Sequence, residues 1–193
     1  HFTLAVAVIM LAACSPAVLA EAPAPPNPTL LNGDFSAPLD SGWTKSRYDY
    51  VGYGEVTALK DGGIKVNKSM CGYTKYTQAV EIDDHHMTFR TRARMTSQVN
   101  KVGYHAFASI TLSYLDKSGE ALGETRFYAL SGSRGWKDSD TRHLVKVAAP
   151  GRWQDIELDL ADELRTNLPG ITPASVRAVR ITFESFGSGT GAC

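Results

Sequence analysis

The sequence predicts an all-β fold, an antiparallel β-sandwich, and three observations lead to it. Apolar and polar residues alternate with a period of two in several short segments, as in strands with one buried face. Turn residues separate these segments, and the 193 residues include 17 glycines. Strands do not alternate with helices along the chain, which argues against a parallel α/β sheet.

The first twenty residues predict export. Residues 2–13 form an almost unbroken apolar run that is too short to span a bilayer, so residues 1–20 are predicted to be a signal peptide. The tetrad Leu11-Ala12-Ala13-Cys14 resembles a bacterial lipobox and would leave an acylated Cys14, whereas cleavage after Ala20 would leave Glu21. We favour the lipobox. Either event exports the protein, as a lipoprotein of the outer or cell-surface membrane or as a secreted or periplasmic protein.

The mature part is predicted to be a linker and one domain. Residues 21–29 are rich in proline and have no large apolar residue before Thr29, so they form an extended spacer. Residues 30–193 remain for the β-sandwich, which is long enough for a single hydrophobic core.

The strands are predicted in chain order from the alternation. Its clearest case is residues 87–95, where apolar side chains and Thr91 alternate with polar ones. Similar patterns predict strands over residues 56–60, 64–66, 76–82, 108–114, 143–148, 156–160 and 179–183. The turn residues Asp116-Lys117-Ser118-Gly119 make 108–114 the first half of a hairpin. Pro169-Gly170 limits the helical pattern over 160–168 to one or two turns.

The charge balance limits the classes of partner, and the cysteine count predicts a disulfide. Twenty Lys and Arg balance twenty Asp and Glu, so no nucleic-acid partner is predicted, and membrane contact is expected only through an N-terminal lipid anchor. Either processing event consumes Cys14. Cys71 and Cys193 then form an even pair in an oxidising compartment, and we predict a disulfide between them.

The order of several motifs resembles a known superfamily. Leu31-Asn32-Gly33-Asp34-Phe35 is followed by Gly42-Trp43, and strand or turn patterns follow over residues 73–80, 87–95, 110–119, 153–160 and 176–185. In this order they resemble the carbohydrate-binding modules of the galactose-binding-like jelly-roll superfamily, the kind attached to cellulases and xylanases. The resemblance covers nearly all of residues 30–186. It implies a jelly-roll sandwich that binds a carbohydrate, with Trp43 and Trp153 in the core or at its edge.

Two departures from that superfamily bear on cofactors and length. The family usually has a glutamate where this chain has Ser36, which weakens the structural calcium site that the resemblance implies near Asp34. The residues predict no other cofactor. The family also closes with a strand that carries acidic residues, and none precedes Cys193, so we expect the domain to be truncated at its C-terminal end.

Aromatic residues in loops are the first candidates for ligand binding. Trp136 lies in a polar, glycine-rich loop, where an exposed ring could stack on the apolar face of a sugar. Tyr48, Tyr50 and Tyr53 form a second aromatic stretch, for which a role in the core or at its rim is an equal alternative.

A row of arginines is the second candidate. Arg90, Arg92 and Arg94 share one face of a predicted strand and could grip the carboxylates or sulfates of an acidic polysaccharide. The favoured alternative is a cross-strand ladder that pairs them with the acidic residues of another strand, Asp155, Glu157 and Asp159.

No motif argues for catalysis. Asp83-Asp84-His85-His86 lies between two strand patterns and is predicted to be a polar turn, not a metal site. No nucleophile elbow, zinc motif or phosphate loop is present. We therefore expect a domain that binds a carbohydrate without transforming it. The alternative is an envelope lipoprotein whose sandwich mediates protein interaction or assembly, and a glycan hydrolase is the least favoured class.

Overall fold

The fold is mostly β. The computed structural model describes residues 30–82, 87–99, 102–132 and 134–188. Its strands are β1 (Thr44–Asp49), β2 (Gly54–Ala58), β3 (Ile64–Lys68), β4 (Gly72–Glu81), β5 (Thr88–Ala93), β6 (His105–Leu115), β7 (Ala121–Gly132), β8 (Arg142–Lys146), β9 (Gln154–Asp159) and β10 (Ala178–Gly187). One helix, α1 (Leu160–Thr166), and one 3₁₀ turn (Pro173–Ser175) complete these elements.

Most strands belong to one six-stranded sheet in the order β1-β4-β10-β6-β7-β8. Two further pairs, β2-β3 and β5-β9, are separate from it. One face of the large sheet, its inner face, shares a single hydrophobic core with both pairs. The core residues that it contributes include Tyr76, Ile110, Leu112, Phe127 and Phe183, and those of the two pairs include Val56, Ile64, Ala93, Ile156 and Leu158.

The sheet is not entirely antiparallel, which corrects one part of the predicted fold class. β7 and β8 run parallel, with Glu124 opposite Arg142 and Tyr128 opposite Lys146. Parallel neighbours cannot be joined by a tight hairpin, because the chain must return to the end of the sheet at which the first strand began. The segment that follows β7 makes this return, and it includes Trp136.

Several local predictions are confirmed. In β5 the alternation is as expected, with Thr91 and Ala93 buried and Arg90 and Arg92 exposed. β6 and β7 form the predicted hairpin. In its turn, Asp116 Oδ1 accepts hydrogen bonds from the backbone N–H groups of Ser118 and Glu120, at 2.8 and 3.0 Å.

The helical pattern is confirmed as a helix of two turns. Asp159 caps α1, because its side chain accepts from the Asp162 N–H at 2.8 Å. The helix ends at Thr166, before the Pro169-Gly170 pair that was expected to stop it.

The aromatic core is built around Trp43. Its indole stacks on Tyr76 with ring centroids 5.0 Å apart and contacts Phe35 and Phe183 at 5.3 Å each. The phenol of Tyr76 donates to the carbonyl of Leu39, and burial raises the pKa of this phenol to about 12. Trp43 is therefore a core residue, as the resemblance implied.

Trp153 does not follow that expectation. It is 41% exposed just before β9, and its ring lies beside Arg92 and Arg94 on the outer side of the β5-β9 pair. Trp153 therefore lies on the outer surface at the start of β9 and not in the core.

Some predictions concern residues outside the described part of the chain. These are the signal peptide with Cys14, the linker over 21–29 and the tetrad over 83–86. Cys71 is buried directly before β4, whereas Cys193 lies outside the described residues, so their disulfide stays a prediction. Within the described residues, no helix has the length and apolar character needed to cross a membrane.

Candidate functional site

The outer face of the six-stranded sheet carries a row of aromatic rings. Directly opposed residues of paired strands lie on the same face, and Tyr48, Tyr73, Phe186 and Phe107 oppose one another across β1, β4, β10 and β6. The Tyr48 and Tyr73 centroids are 6.1 Å apart, and Phe107 stacks on Phe186 at 4.8 Å. We call these four residues the aromatic row. It runs across the strands, and Tyr48 at its outer end is 54% exposed.

Trp136 lies at the other end of the row. Its ring meets Phe107 edge to face at 4.8 Å and Tyr128 of β7 edge to face at 5.0 Å. Because the returning segment brings Trp136 onto the sheet, Phe107 is only 3% exposed although it points outward. Trp136 itself is half-buried.

Two arginines flank this end, and we call Arg126 and Arg134 the arginine pair. Their guanidinium carbons lie 5.0 and 5.1 Å from the Trp136 ring centroid. Both also lie over Phe107, at 5.9 and 5.6 Å. Cations over aromatic faces are attracted by the ring quadrupole, so the rings hold both charges at the surface of the sheet.

His105 orients one member of the pair. Arg134 Nη1 donates to His105 Nε2 at 2.7 Å, and the imidazole stacks on Phe186 at 5.5 Å. The accepting nitrogen requires a neutral imidazole. Burial, and secondly the charge of Arg134, lower the pKa of His105, which favours that neutral form.

A polar row lies beside the aromatic one. Lys75, Glu184, Ser109 and Tyr128 oppose one another on β4, β10, β6 and β7. Lys75 Nζ is 3.4 Å from Glu184 Oε1 and 5.0 Å from the Tyr73 centroid. The surface thus alternates rings with charged groups at adjacent positions, an arrangement suited to ligands with both apolar and hydroxyl-bearing faces.

Three buried polar atoms of this face have no hydrogen-bond partner among the described residues. They are the hydroxyl oxygens of Ser109 and Thr111 and Nε of Arg126. Ser109 is fully buried and Thr111 is 4% exposed, both in outward positions of β6. Unpaired buried polar atoms are uncommon in native proteins.

The structure forms the cross-strand ladder instead of a free arginine row. Arg90 Nη2 lies 2.8 Å from Glu157 Oε1, and Arg92 Nε lies 3.9 Å from Asp155 Oδ1, across the β5-β9 pair. Arg94 lies over Trp153 at 5.4 Å. These arginines are on the opposite layer from Trp136 and do not join it in one site.

The tyrosine candidates separate. Tyr48 belongs to the aromatic row, whereas Tyr50 and Tyr53 are 58% and 53% exposed in the connection between β1 and β2. Sequence reasoning missed Tyr73, Phe107 and Phe186. The signal was present, because each aromatic occupies the phase of its strand that otherwise carries polar, outward-facing residues.

A second concave region lies beside α1 and contains several carboxylates. This cleft of about 310 Å³ is lined by His143, Asp159, Asp162 and Glu163 among others. Glu163 is 6% exposed, and its oxygens accept from Thr125 Oγ1, His143 Nδ1 and Asn167 Nδ2. Glu163 therefore fastens α1 to β7 and β8, with each oxygen of its carboxylate already bonded.

At Asp34, where the resemblance implied a calcium ligand, one carboxylate oxygen is already used in local hydrogen bonds. The described residues contain no group of three or more His, Cys, Asp or Glu side chains that could hold a metal ion. The carboxylate of Asp34 accepts hydrogen bonds from the backbone and the hydroxyl of Ser36, at 3.1 and 2.9 Å. These two hydrogen bonds are the main reason why the pKa of Asp34 is lower than its ordinary value.

Comparisons with known proteins do not assign a family to this chain. No family model matches the chain, and no curated protein matches it. Among solved structures, the enzymatically active domain of tailspike protein 4 of bacteriophage CBA120 is similar, with a TM-score of 0.35 and 14% sequence identity. The match covers 86% of this chain and 20% of that chain. The carbohydrate-binding-module family is therefore not shown.

One expectation is corrected by this comparison. The sequence favoured a domain that is not an enzyme, and the similar structure is an enzymatically active domain, which contradicts that expectation. At a TM-score of 0.35 the likeness assigns no reaction to this chain. What the chain itself offers is a β-rich fold with an aromatic and cationic surface on one face of its large sheet.

Proposed function

We propose that this domain is a β-sandwich of the jelly-roll type that binds a carbohydrate on the outer face of its six-stranded sheet. The observation that carries the proposal is the aromatic row, which ends beneath Trp136. Aromatic rings stack on the apolar faces of sugar rings. Rings on neighbouring strands, about 4.8 Å apart, extend that surface along a chain-like ligand.

The charged groups beside the row support the same function. Lys75 and Glu184 lie next to Tyr73 and Phe186, and Arg134 lies over Phe107. Sugar hydroxyls both donate and accept, so a cation and a carboxylate at the edge of the rings can each bond to them. The order of sequence motifs that resembles carbohydrate-binding modules supports the jelly-roll type.

Affinity electrophoresis on a panel of neutral and acidic polysaccharides tests the proposal. We expect reversible retardation by at least one glycan, and weaker retardation of Phe186→Ala. Arg165→Ala is the control, because Arg165 is exposed on α1, distant in the fold from the aromatic row. Mobility that no glycan changes would contradict the proposal. Capture of an envelope protein without any glycan would favour the assembly alternative.

The same glycans should be assayed for release of reducing sugar, because the binding proposal leaves catalysis open. Cleavage would add a reaction to the binding face or to the α1 cleft, and the Phe186→Ala and Glu163→Gln variants would tell the two regions apart. Loss in Phe186→Ala alone would place substrate on the aromatic row.

We also propose that the protein is exported, that Cys14 is acylated and that Cys71 and Cys193 are joined by a disulfide. Intact mass of protein expressed from the complete gene distinguishes an acylated Cys14 from an N-terminus at Glu21. Alkylation of the exported protein with and without a reductant tests the Cys71–Cys193 bond, for which we expect two additional alkylated thiols after reduction.

A further inference from the structure

We propose that the end of the binding face at the arginine pair takes an acidic group of the glycan, a carboxylate or a sulfate ester. This inference rests on the proposed function and narrows its substrate class. It places neutral sugar units on the aromatic row and the acidic group beside Trp136, where Arg134 is exposed.

The first step is the proximity of like charges. Arg126 and Arg134 lie within about 5 Å of one indole ring, at 5.0 and 5.1 Å, and both also contact Phe107. Both groups lie over the same two rings, and their like charges repel each other in this partly desolvated setting. Burial, and secondly the charge of Arg126, lower the pKa of Arg134, which reflects the same unfavourable field.

The second step is the shortage of carboxylates. Glu124 accepts from Arg126 Nη2 and from Arg142 Nε, both at 3.1 Å, so one carboxylate serves two guanidinium groups. Glu184 is paired with Lys75 at 3.4 Å and is also the carboxylate that attracts Arg134. Among these described groups four cations share two carboxylates. Neither member of the arginine pair therefore has a carboxylate to itself.

The third step is unused bonding capacity. Arg134 is exposed, so its guanidinium is accessible to a ligand, whereas the unpaired Nε of Arg126 is buried and offers no bond to one. Arg134 directs one nitrogen to His105. The planar guanidinium carries five N–H donors, so most of its fork remains for an anion, which it binds in bidentate fashion.

The arginines of the β5-β9 pair do not offer the same kind of anion site. Arg90 and Arg92 each have a cross-strand carboxylate of their own, and both are exposed to solvent. An anion there would compete with an existing ion pair in water. At the arginine pair it would instead supply a missing counter-charge.

Matched polysaccharides test the inference with the whole domain. Polygalacturonate is compared with its carboxyl-reduced form, and a sulfated galactan with its desulfated form, at low and at moderate salt. We expect one acidic member to bind roughly tenfold more tightly than its neutral counterpart, as charge-assisted hydrogen bonds imply. The advantage should shrink as salt rises. The polysaccharide pair that shows this advantage tells whether the bound acidic group is a carboxylate or a sulfate ester.

Variants connect the preference to the residue. Arg134→Ala should remove the advantage of the acidic member and leave the neutral affinity nearly unchanged, whereas Arg134→Lys should keep a part of it. The control variant Arg165→Ala removes the same charge and should keep the full advantage of the acidic member. Equal binding of acidic and neutral members would overturn the inference and leave the proposed function intact, whereas no binding of any glycan would overturn the proposed function itself.

Thermal unfolding separates binding from packing. Arg134 also closes the aromatic cluster through three ring contacts, so its removal lowers stability to a small extent. If Arg134→Ala lost melting temperature but retained the acidic preference, the arginine would be a packing residue only and the inference would fail.

Discussion

Two tryptophans in this protein each lie against two arginines, and the two clusters differ in what else surrounds them. Trp153 lies beside Arg92 and Arg94 on β5-β9, where Arg92 faces Asp155 in an exposed ladder. Trp136 lies against Phe107 and Tyr128 of the large sheet, where Arg126 shares Glu124 with Arg142. Arg134 shares Glu184 with Lys75.

The difference teaches that arginine content does not by itself mark a binding surface. Both clusters contain the same residue types, but the ladder satisfies its charges internally and in water, where an exposed ion pair contributes about 0–1 kcal/mol. The Trp136 cluster is partly desolvated, contains the unpaired Nε of Arg126 and adjoins the aromatic row. The two clusters differ in how many carboxylates are available to pair with their arginines, and not in the number of arginines.

The largest expected effect is at the centre of the Trp136 cluster. Phe107 is 3% exposed and contacts Phe186, Trp136 and both guanidinium groups. Phe107→Ala should lower the free energy of unfolding by about 3 kcal/mol, because a buried aromatic is deleted, and should abolish glycan retention. Denaturant unfolding measures the first effect. An unchanged midpoint would show that the cluster is not packed as described.

A smaller effect is expected at the open end of the row. Tyr48→Ala should weaken glycan binding by roughly fivefold, an energy typical of one aromatic contact, with little change in stability because the ring is 54% exposed. Tyr48→Phe should bind nearly as well as the wild type, since the ring provides the contact. Isothermal titration calorimetry measures both. If Tyr48→Ala binds normally, the ligand ends before β1.

The ladder should respond weakly. Arg90→Ala breaks the pair with Glu157, and because Arg90 is 54% exposed the loss of stability should be under about 1 kcal/mol. Glycan affinity should change by less than about twofold, because an exposed ion pair contributes little energy. Chemical unfolding and titration calorimetry of the same sample check both statements. A large loss of affinity would return the arginine row to the binding site.

The smallest expected effect concerns pH. Because the folded state lowers the pKa of His105, the unfolded chain takes up the proton first as pH falls, so this residue contributes to a loss of stability on acidification through about pH 6.5. His105→Gln should reduce that acid-side loss, and NMR titration of the imidazole should give a midpoint below the ordinary value. A midpoint above that value would contradict a partly buried imidazole that accepts a hydrogen bond from Arg134.

The sequence predicted the fold more successfully than the site, for a physical reason. Period-two alternation reports which face of a strand is buried, and it correctly identified β5, β6, β9 and β10. It also named Trp136 and Tyr48, which the fold places at the two ends of one surface. The middle of that surface depends on which strands are neighbours, since Tyr73, Phe186 and Phe107 become a row only through strand order.

The parallel β7-β8 pair illustrates the same limit. The alternation of residues 143–148 predicted a strand, but a strand pattern carries no direction relative to its neighbour. Direction is set by the returning segment that covers Phe107 with Trp136. The feature that sequence reasoning assigned wrongly is thus the one that assembles the arginine end of the site.

The two tryptophans allow the most direct test of the account. Trp136→Ala and Trp153→Ala remove the same side chain from two clusters that each contain two arginines. In affinity electrophoresis against the glycan that retards the wild type most, we predict that Trp136→Ala loses retardation by tenfold or more, roughly the energy of one stacked ring and its cations, while Trp153→Ala stays within about twofold of the wild type. Equal losses in both variants, or a loss in Trp153→Ala alone, would contradict a binding site on the outer face of the six-stranded sheet.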